Sequence, residues 1–408
     1  MYKFNNSKEL FRRAAKVIPK GIYVTRGPSL VVPDSYPYFA SHGKGAYYWD
    51  VDGNRFIDYM CGYGASILGF ADPFVDQVVQ QTESTGFGFN HPTELMVKVA
   101  ELLTANISGM DWALFGKNGS DMTSFALQVA REYTGKRKIL KAKHAYHSSY
   151  AWGNSGTAGV IDEDQSHIHS FTWNNINSIK SLLSTYSDDI AAVLVTPYHH
   201  PSFDDSEFSE NNFLQNICKL SKQYDFAVIS DDIRVGFRAS LAGSHSYFKF
   251  EPDLTCYSKS LANGYPIAAC LGRNDLMAAA RSIFITGTFW MHHGPMAALE
   301  ACMQQLEEKG GVEIMRERGL QLTAGLNQVA TRHSEAFTIT GLPSMPKVRL
   351  TGELDFMRFQ KFCAAATKRG VYFHPYHNWF ISVAHTYRDI EETIDVADTA
   401  FLEIKSME

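Results

Sequence analysis

Two residues of this chain have types and positions that could do covalent chemistry together. Asp231 follows the apolar run Phe226-Ala227-Val228-Ile229, and Lys259 comes later, set between Ser258 and Ser260 ahead of the turn Gly264-Tyr265-Pro266. An unbroken apolar run is the pattern of a strand buried on both faces, so the carboxylate falls at a strand end. A lysine in a small-residue loop can form a Schiff base, and a buried carboxylate can hold a pyridine nitrogen protonated so that the ring serves as an electron sink. These are the two protein groups that pyridoxal 5′-phosphate (PLP) chemistry requires. Each also has an ordinary reading, since strand-end carboxylates cap helices or pair with cations and most lysines are solvated.

Two further stretches bear on the same chemistry. In Phe115 to Ala130 a short strand runs into Asn118-Gly119-Ser120, after which Met122, Phe125, Ala126 and Val129 recur at helical spacing. A strand, a Gly-Ser turn and a helix N-terminus make an anion site, because unpaired backbone N–H groups and the helix dipole converge there; a plain N-cap at Ser120 is the ordinary reading. In Ala145-Tyr146-His147, just past the strand Ile139 to Ala142, an aromatic residue at a strand's C-terminal end can stack on a flat ring. Core aromatic is its ordinary reading. His144 and His147, His199-His200 and His292-His293 have the type of metal ligands but lack a convincing third donor, so no metal is expected.

The elements that must position these residues follow from the chain's patterning. At 408 residues, 45% hydrophobic and 20% charged, it is expected to form about two globular domains. A net charge of −5 argues against nucleic acid as a partner. No apolar run approaches membrane-spanning length, so no membrane association is expected. The six cysteines, at 61, 218, 256, 270, 302 and 363, have neither CxxC nor zinc spacing. With no secretory signal expected, they read as reduced thiols of a cytoplasmic protein. Ser7 to Val17 predicts an amphipathic helix, and Ala46 to Met60, turning at Asp52-Gly53, predicts a small meander. Strands at Ala113 to Phe115, Ile139 to Ala142, Ala191 to Val195, Phe226 to Ile229 and Ala268 to Leu271 alternate with helical patterns. The reading is an α/β fold, a mostly parallel sheet with helices on both faces. A smaller α+β domain follows, with strands at Val371 to Phe373 and Phe380 to Val383. The expected division is an N-terminal segment, 1–65, packing with the small domain; a large PLP-binding domain, 66–294; and the small domain itself, 295–408.

Taken together, the ordered motifs resemble class III (subgroup II) PLP-dependent aminotransferases, and within them the glutamate-1-semialdehyde 2,1-aminomutase branch. The likeness is carried by Gly45 to Gly53, Ile67-Leu68-Gly69, Asn118 to Asp121, Tyr146-His147, Asp231 to Arg238, Pro252-Asp253-Leu254 leading to Lys259, Gly287-Thr288 and Phe380 to Thr386. The resemblance implies the PLP-dependent transferase fold type I. It also implies catalytic roles for Lys259 as the Schiff-base lysine and Asp231 as the ring-nitrogen partner. Ile233 and Tyr146 would lie on the two ring faces, and Gly119 and Ser120 on the phosphate with Thr288 from a second subunit. An obligate homodimer with its active site at the subunit interface is implied as well.

Departures from that family touch the substrate pocket rather than the cofactor set. The usual Asp-Glu pair is Asp231-Asp232, an expected Glu-Pro is Thr196-Pro197, and the aminomutases' Ser-Gly-Asn-Pro run is replaced by Trp290 to Pro295. Arg26, Arg234 and His293 are the candidate substrate contacts. The expected function is transfer of an amino group between a small-molecule amino donor and a carbonyl acceptor. The alternatives are an intramolecular aminomutase and a non-catalytic PLP-fold binding protein.

Overall fold

The computed structural model describes residues 1–23, 31–154, 156, 158–186, 188–353 and 355–406. The chain divides into two compact units, one of residues 74–312 and one of residues 1–73 with 313–408. The larger unit is built on a seven-stranded sheet. Its strands are β1 (Trp112–Gly116), β2 (Lys138–Ala142), β3 (Ile168–Phe171), β4 (Ile190–Val195), β5 (Ala227–Asp231), β6 (Leu254–Tyr257) and β7 (Ala268–Gly272). Their spatial order is β1-β7-β6-β5-β4-β2-β3. The pairs from β6 across to β3 are parallel, and β7 runs antiparallel to both of its neighbours.

Every residue of β4 and β5 is buried, as the apolar runs Ile190 to Val195 and Ala227 to Ile229 require. Successive side chains alternate between the two faces. Ala192, Leu194, Ala227 and Ile229 join one core with helix α1 (Gly119–Thr134), whereas Val193, Val195 and Val228 join the other with Ile217 of helix Phe213–Tyr224. The expected mostly parallel sheet is therefore present. Two of its strands, β3 and β6, escaped the sequence pattern because His169-Ser170 and Thr255 interrupt their short apolar runs.

The smaller unit carries a four-stranded sheet of Ala40–Lys44, Tyr47–Asp50, Arg55–Asp58 and Val371–Tyr372, plus the hairpin Phe337–Thr340 with Lys347–Leu350. Phe380 to Val383, expected as a strand, is not one. Its N–H groups donate singly to Tyr59, Ser344 and Ile67 carbonyls, three separate partners that hold it as irregular backbone. Helix α2 (His293–Glu308) packs within the larger unit, where the Cys302 thiol approaches the Ser260 carbonyl at 3.5 Å. Among the described residues no helix is long and apolar enough to cross a membrane.

Asp253 ties the site's two strands together. Its carboxylate accepts the Val228 N–H of β5 at 2.6 Å and meets the Arg273 guanidinium at 2.9 Å, just before β6 begins. Replacing Asp253 with Ala should lower unfolding free energy by about 2 kcal/mol, the worth of charged hydrogen bonds in a mostly buried place. Urea denaturation measures it, and an unchanged midpoint would show the tie to be dispensable.

Candidate active site

The parallel register sets Asp231 opposite Cys256, so β5 and β6 end side by side. Lys259 stands two residues past Tyr257, the last residue of β6. Its backbone is in the left-handed region, φ 49°, an arrangement that costs a residue with a Cβ about 1 kcal/mol or more. Neighbouring contacts enforce it. The Ser258 hydroxyl donates to the Ile267 carbonyl at 3.1 Å, and the Ser260 hydroxyl donates to the Gly236 carbonyl at 2.8 Å. Burial pushes the Lys259 ammonium down to about 8; the Arg234 and Arg238 charges act in the same direction and Asp231 against them. The amine is thereby poised as a nucleophile near neutral pH.

Asp231 is buried, and its carboxylate is satisfied on both oxygens. Oδ2 lies 2.7 Å from His147 Nδ1, and Oδ1 accepts the Ile233 N–H at 3.2 Å. Asp232 has separated from it. That side chain is fully enclosed, accepts the Ser244 N–H at 2.9 Å and is pushed up to about 6 by burial. Its place is structural, holding the turn at Gly243-Ser244.

On the neighbouring side of the sheet, β1 leads through Lys117 and Asn118 into α1. Asp121 Oδ2 accepts the Asn118 N–H at 2.8 Å and the Lys117 N–H at 3.1 Å, which fixes the turn at the start of α1. Gly119 is required by close approach. A Cβ there would stand 2.5 Å from Ile233 Cδ1, so the turn and the residue after Asp231 are in contact. Ser120 Oγ accepts the Ser149 N–H at 3.0 Å. Lys117 Nζ is buried with no hydrogen-bond partner, and burial pushes it down to about 8.

The remaining candidates fall in different places. Tyr146 is 48% exposed and immediately precedes His147. Arg234 is buried, with Nη1 donating to the His200 carbonyl at 3.1 Å and lying 3.1 Å from His200 Nδ1. His293 is buried too; its Nε2 lies 3.1 Å from the Thr82 carbonyl and its ring stacks on Phe89 at 5.2 Å, which gives it a packing role. Thr288 is exposed, in a loop that also exposes Phe284 and Phe289. Arg26 lies outside the described residues. In the sequence His147 has the type of a metal ligand and stands in the Tyr146-His147 motif, with no role of its own there. Its position beside Tyr146 at a strand end was the available signal, and the partner that gives it meaning comes from another strand.

These residues fit PLP. A poised lysine, a carboxylate anchored from behind, a helix N-terminus and a glycine cradle against an aliphatic face are its four requirements. Gly119→Ala should destabilise the protein by about 1–3 kcal/mol through overpacking against Ile233. Adding Ile233→Val, which removes the clashing Cδ1, should recover part of that loss in a thermal-unfolding double-mutant cycle. Strict additivity would refute the contact.

Comparison with known proteins agrees with this geometry. The model of the family Aminotransferase class-III matches residues 31–404. The chain is 38% identical over 394 residues to an aminopentol aminotransferase of Sphingopyxis macrogoltabida, covering 97% of this chain and 93% of that one. It is 32% identical over 411 aligned positions to a 3-aminobutyryl-CoA aminotransferase of Cloacimonas acidaminovorans, covering 99% of each. Among solved structures it is similar to the FumI protein of Sphingopyxis sp. MTA144 in its PLP internal aldimine form, with 38% identity, a TM-score of 0.96, and coverage of 98% of this chain and 96% of that one. The chain belongs to the class-III aminotransferase family.

Proposed function

We propose that this PLP-dependent aminotransferase takes an amine whose amino-bearing carbon has no free carboxylate beside it, and passes the amino group to a separate carbonyl acceptor. One observation carries the substrate part of the reading. Arg234, the candidate for gripping a substrate carboxylate, is buried and directed onto His200. The names of two relatives support it, since an aminopentol and 3-aminobutyryl-CoA are not named as α-amino acids. The Trp290 to Pro295 run, which replaces the aminomutase sequence, is a further departure from the aminomutase pattern.

PLP, when bound, supplies an aldehyde for the amine and a ring that accepts the electron pair of the broken C–H bond. The chain's residues then divide the work. Lys259 Nζ would hold the cofactor aldehyde and, once freed, would carry a proton at the substrate carbon. Asp231 would hold the ring nitrogen protonated, with His147 orienting Asp231. Ile233 and Tyr146 would pack against the ring. The α1 N-terminus with Gly119 and Ser120 receives the phosphate, joined by Thr288 of the partner subunit. On this reading the active site lies at the interface of a homodimer, and the exposed Phe284 and Phe289 beside Thr288 are apolar surface suited to burial there. A cytoplasmic location accords with the six free thiols.

A panel of amines tested with pyruvate-type acceptors should show conversion of aliphatic amines lacking an α-carboxylate. Isomerisation of a 2-amino acid semialdehyde without any external acceptor would instead establish an aminomutase. Lys259→Ala should abolish both the cofactor's absorbance and amino transfer. In the apoenzyme, borohydride-trapped capture of PLP should accelerate as pH rises through about 8, because the neutral amine is the nucleophile and its pKa is lowered to about 8. A midpoint at the ordinary lysine pKa of about 10.4 would contradict the poised amine.

A further inference from the structure

The segment after β2 that carries Tyr146 and His147 lies against the first turns of α1, and a row of side-chain bonds joins the two. Thr123 Oγ1 donates to the His147 carbonyl at 3.0 Å. The Tyr150 hydroxyl donates to Asp121 Oδ1, the carboxylate whose other oxygen fixes the turn before α1. Trp152 Nε1 donates to Ser124 Oγ at 2.8 Å. Between these, Ser149 meets Ser120 twice: its N–H donates to Ser120 Oγ at 3.0 Å, and the two hydroxyl oxygens stand 3.2 Å apart.

A serine hydroxyl has one proton to give and two lone pairs with which to accept. Ser120 Oγ already receives the Ser149 N–H on one lone pair. Between the two hydroxyls either oxygen could be the donor, and the ligand chemistry decides which one is. The oxygens of a phosphate are acceptors. Were Ser120 to spend its proton on Ser149, it would meet the phosphate acceptor against acceptor. If Ser149 gives its proton instead, both lone pairs of Ser120 are filled and the Ser120 proton is left for the anion. The backbone at Ser149 is held without help from its hydroxyl. His147 and Tyr150 are tied to α1 on either side, and the buried Ser148 hydroxyl accepts the Tyr150 N–H at 3.0 Å. Ser149 itself is exposed, so its Oγ fills no core space.

We propose that Ser149 is a positioning residue for the cofactor's phosphate: its N–H and O–H together occupy both lone pairs of Ser120 Oγ and make the Ser120 hydroxyl a pure donor. The arrangement is one of hydrogen bonds alone, with no covalent bond made or broken. It rests on the reading, given above, that Gly119 and Ser120 receive the phosphate.

The test titrates apoenzyme with PLP and with pyridoxal, the same ring without the phosphate, and follows the absorbance change on capture by Lys259. Ser149→Ala should raise the Kd of PLP about 5-fold, the worth of one neutral hydrogen bond, and leave that of pyridoxal as it was. Ser149→Thr keeps the hydroxyl and should hold PLP as the wild type does. Because Ser149 acts through Ser120, the double variant Ser120→Ala with Ser149→Ala should bind PLP no more weakly than Ser120→Ala alone. Additive losses in the double variant would make Ser149 a phosphate ligand in its own right and overturn the proposal. So would an unchanged PLP Kd in Ser149→Ala beside a weakened Ser120→Ala, or an equal loss for pyridoxal, the mark of a merely structural effect. Should pyridoxal bind too weakly to follow, the double variant decides. If Ser120→Ala holds PLP like the wild type, the phosphate reading of the turn fails, and the proposal with it.

Discussion

An anion at the end of a strand buried on both faces has little water to turn to, and keeping it charged depends on donors supplied by the protein. Asp231 is that anion. Its two oxygens are met by a ring nitrogen from the loop after β2 and by the backbone N–H of Ile233, two residues on. Both donors depend on the sheet. The loop after β2 reaches Asp231 only because β4 alone separates β2 from β5 in the spatial order.

The same constraint explains where the backbone departs from comfortable conformations. Lys259 sits at φ 49° because it must turn back beside Asp231 within two residues of the end of β6. Gly119 lacks a Cβ because Ile233 occupies that space. Rules of local propensity are broken here by residues that the chemistry uses, the pattern expected of a site built on a rigid scaffold. Away from the site the same sheet obeys them, with β4 apolar throughout.

Charge placement shows the opposite economy. Arg234 looks in sequence like a solvated cation three residues past Asp231, yet the fold turns it onto His200, where its charge still acts on Lys259. His293, similarly exposed to suspicion in sequence, is buried by the stacking of Phe89. Long polar side chains take their direction from whatever surrounds them, and sequence spacing alone does not supply that.

What the sequence by itself determined was the local setting of the candidate residues and their order: Gly119-Ser120 at a strand-to-helix turn, Tyr146 past a strand, Asp231 ending a buried run, Lys259 in a small-residue loop. Those were legible because each rests on a local pattern of a few residues, and local patterns are what propensity and periodicity encode. The alternating strands and helices, and with them the mostly parallel sheet, were legible for the same reason. The strands Ile168–Phe171 and Leu254–Tyr257, the irregular path of Phe380 to Val383, the pairing of His147 with Asp231 and the capture of Arg234 by His200 were decided only by tertiary structure. Each depends on groups far apart in the chain that register and packing bring together, and no local window contains both partners.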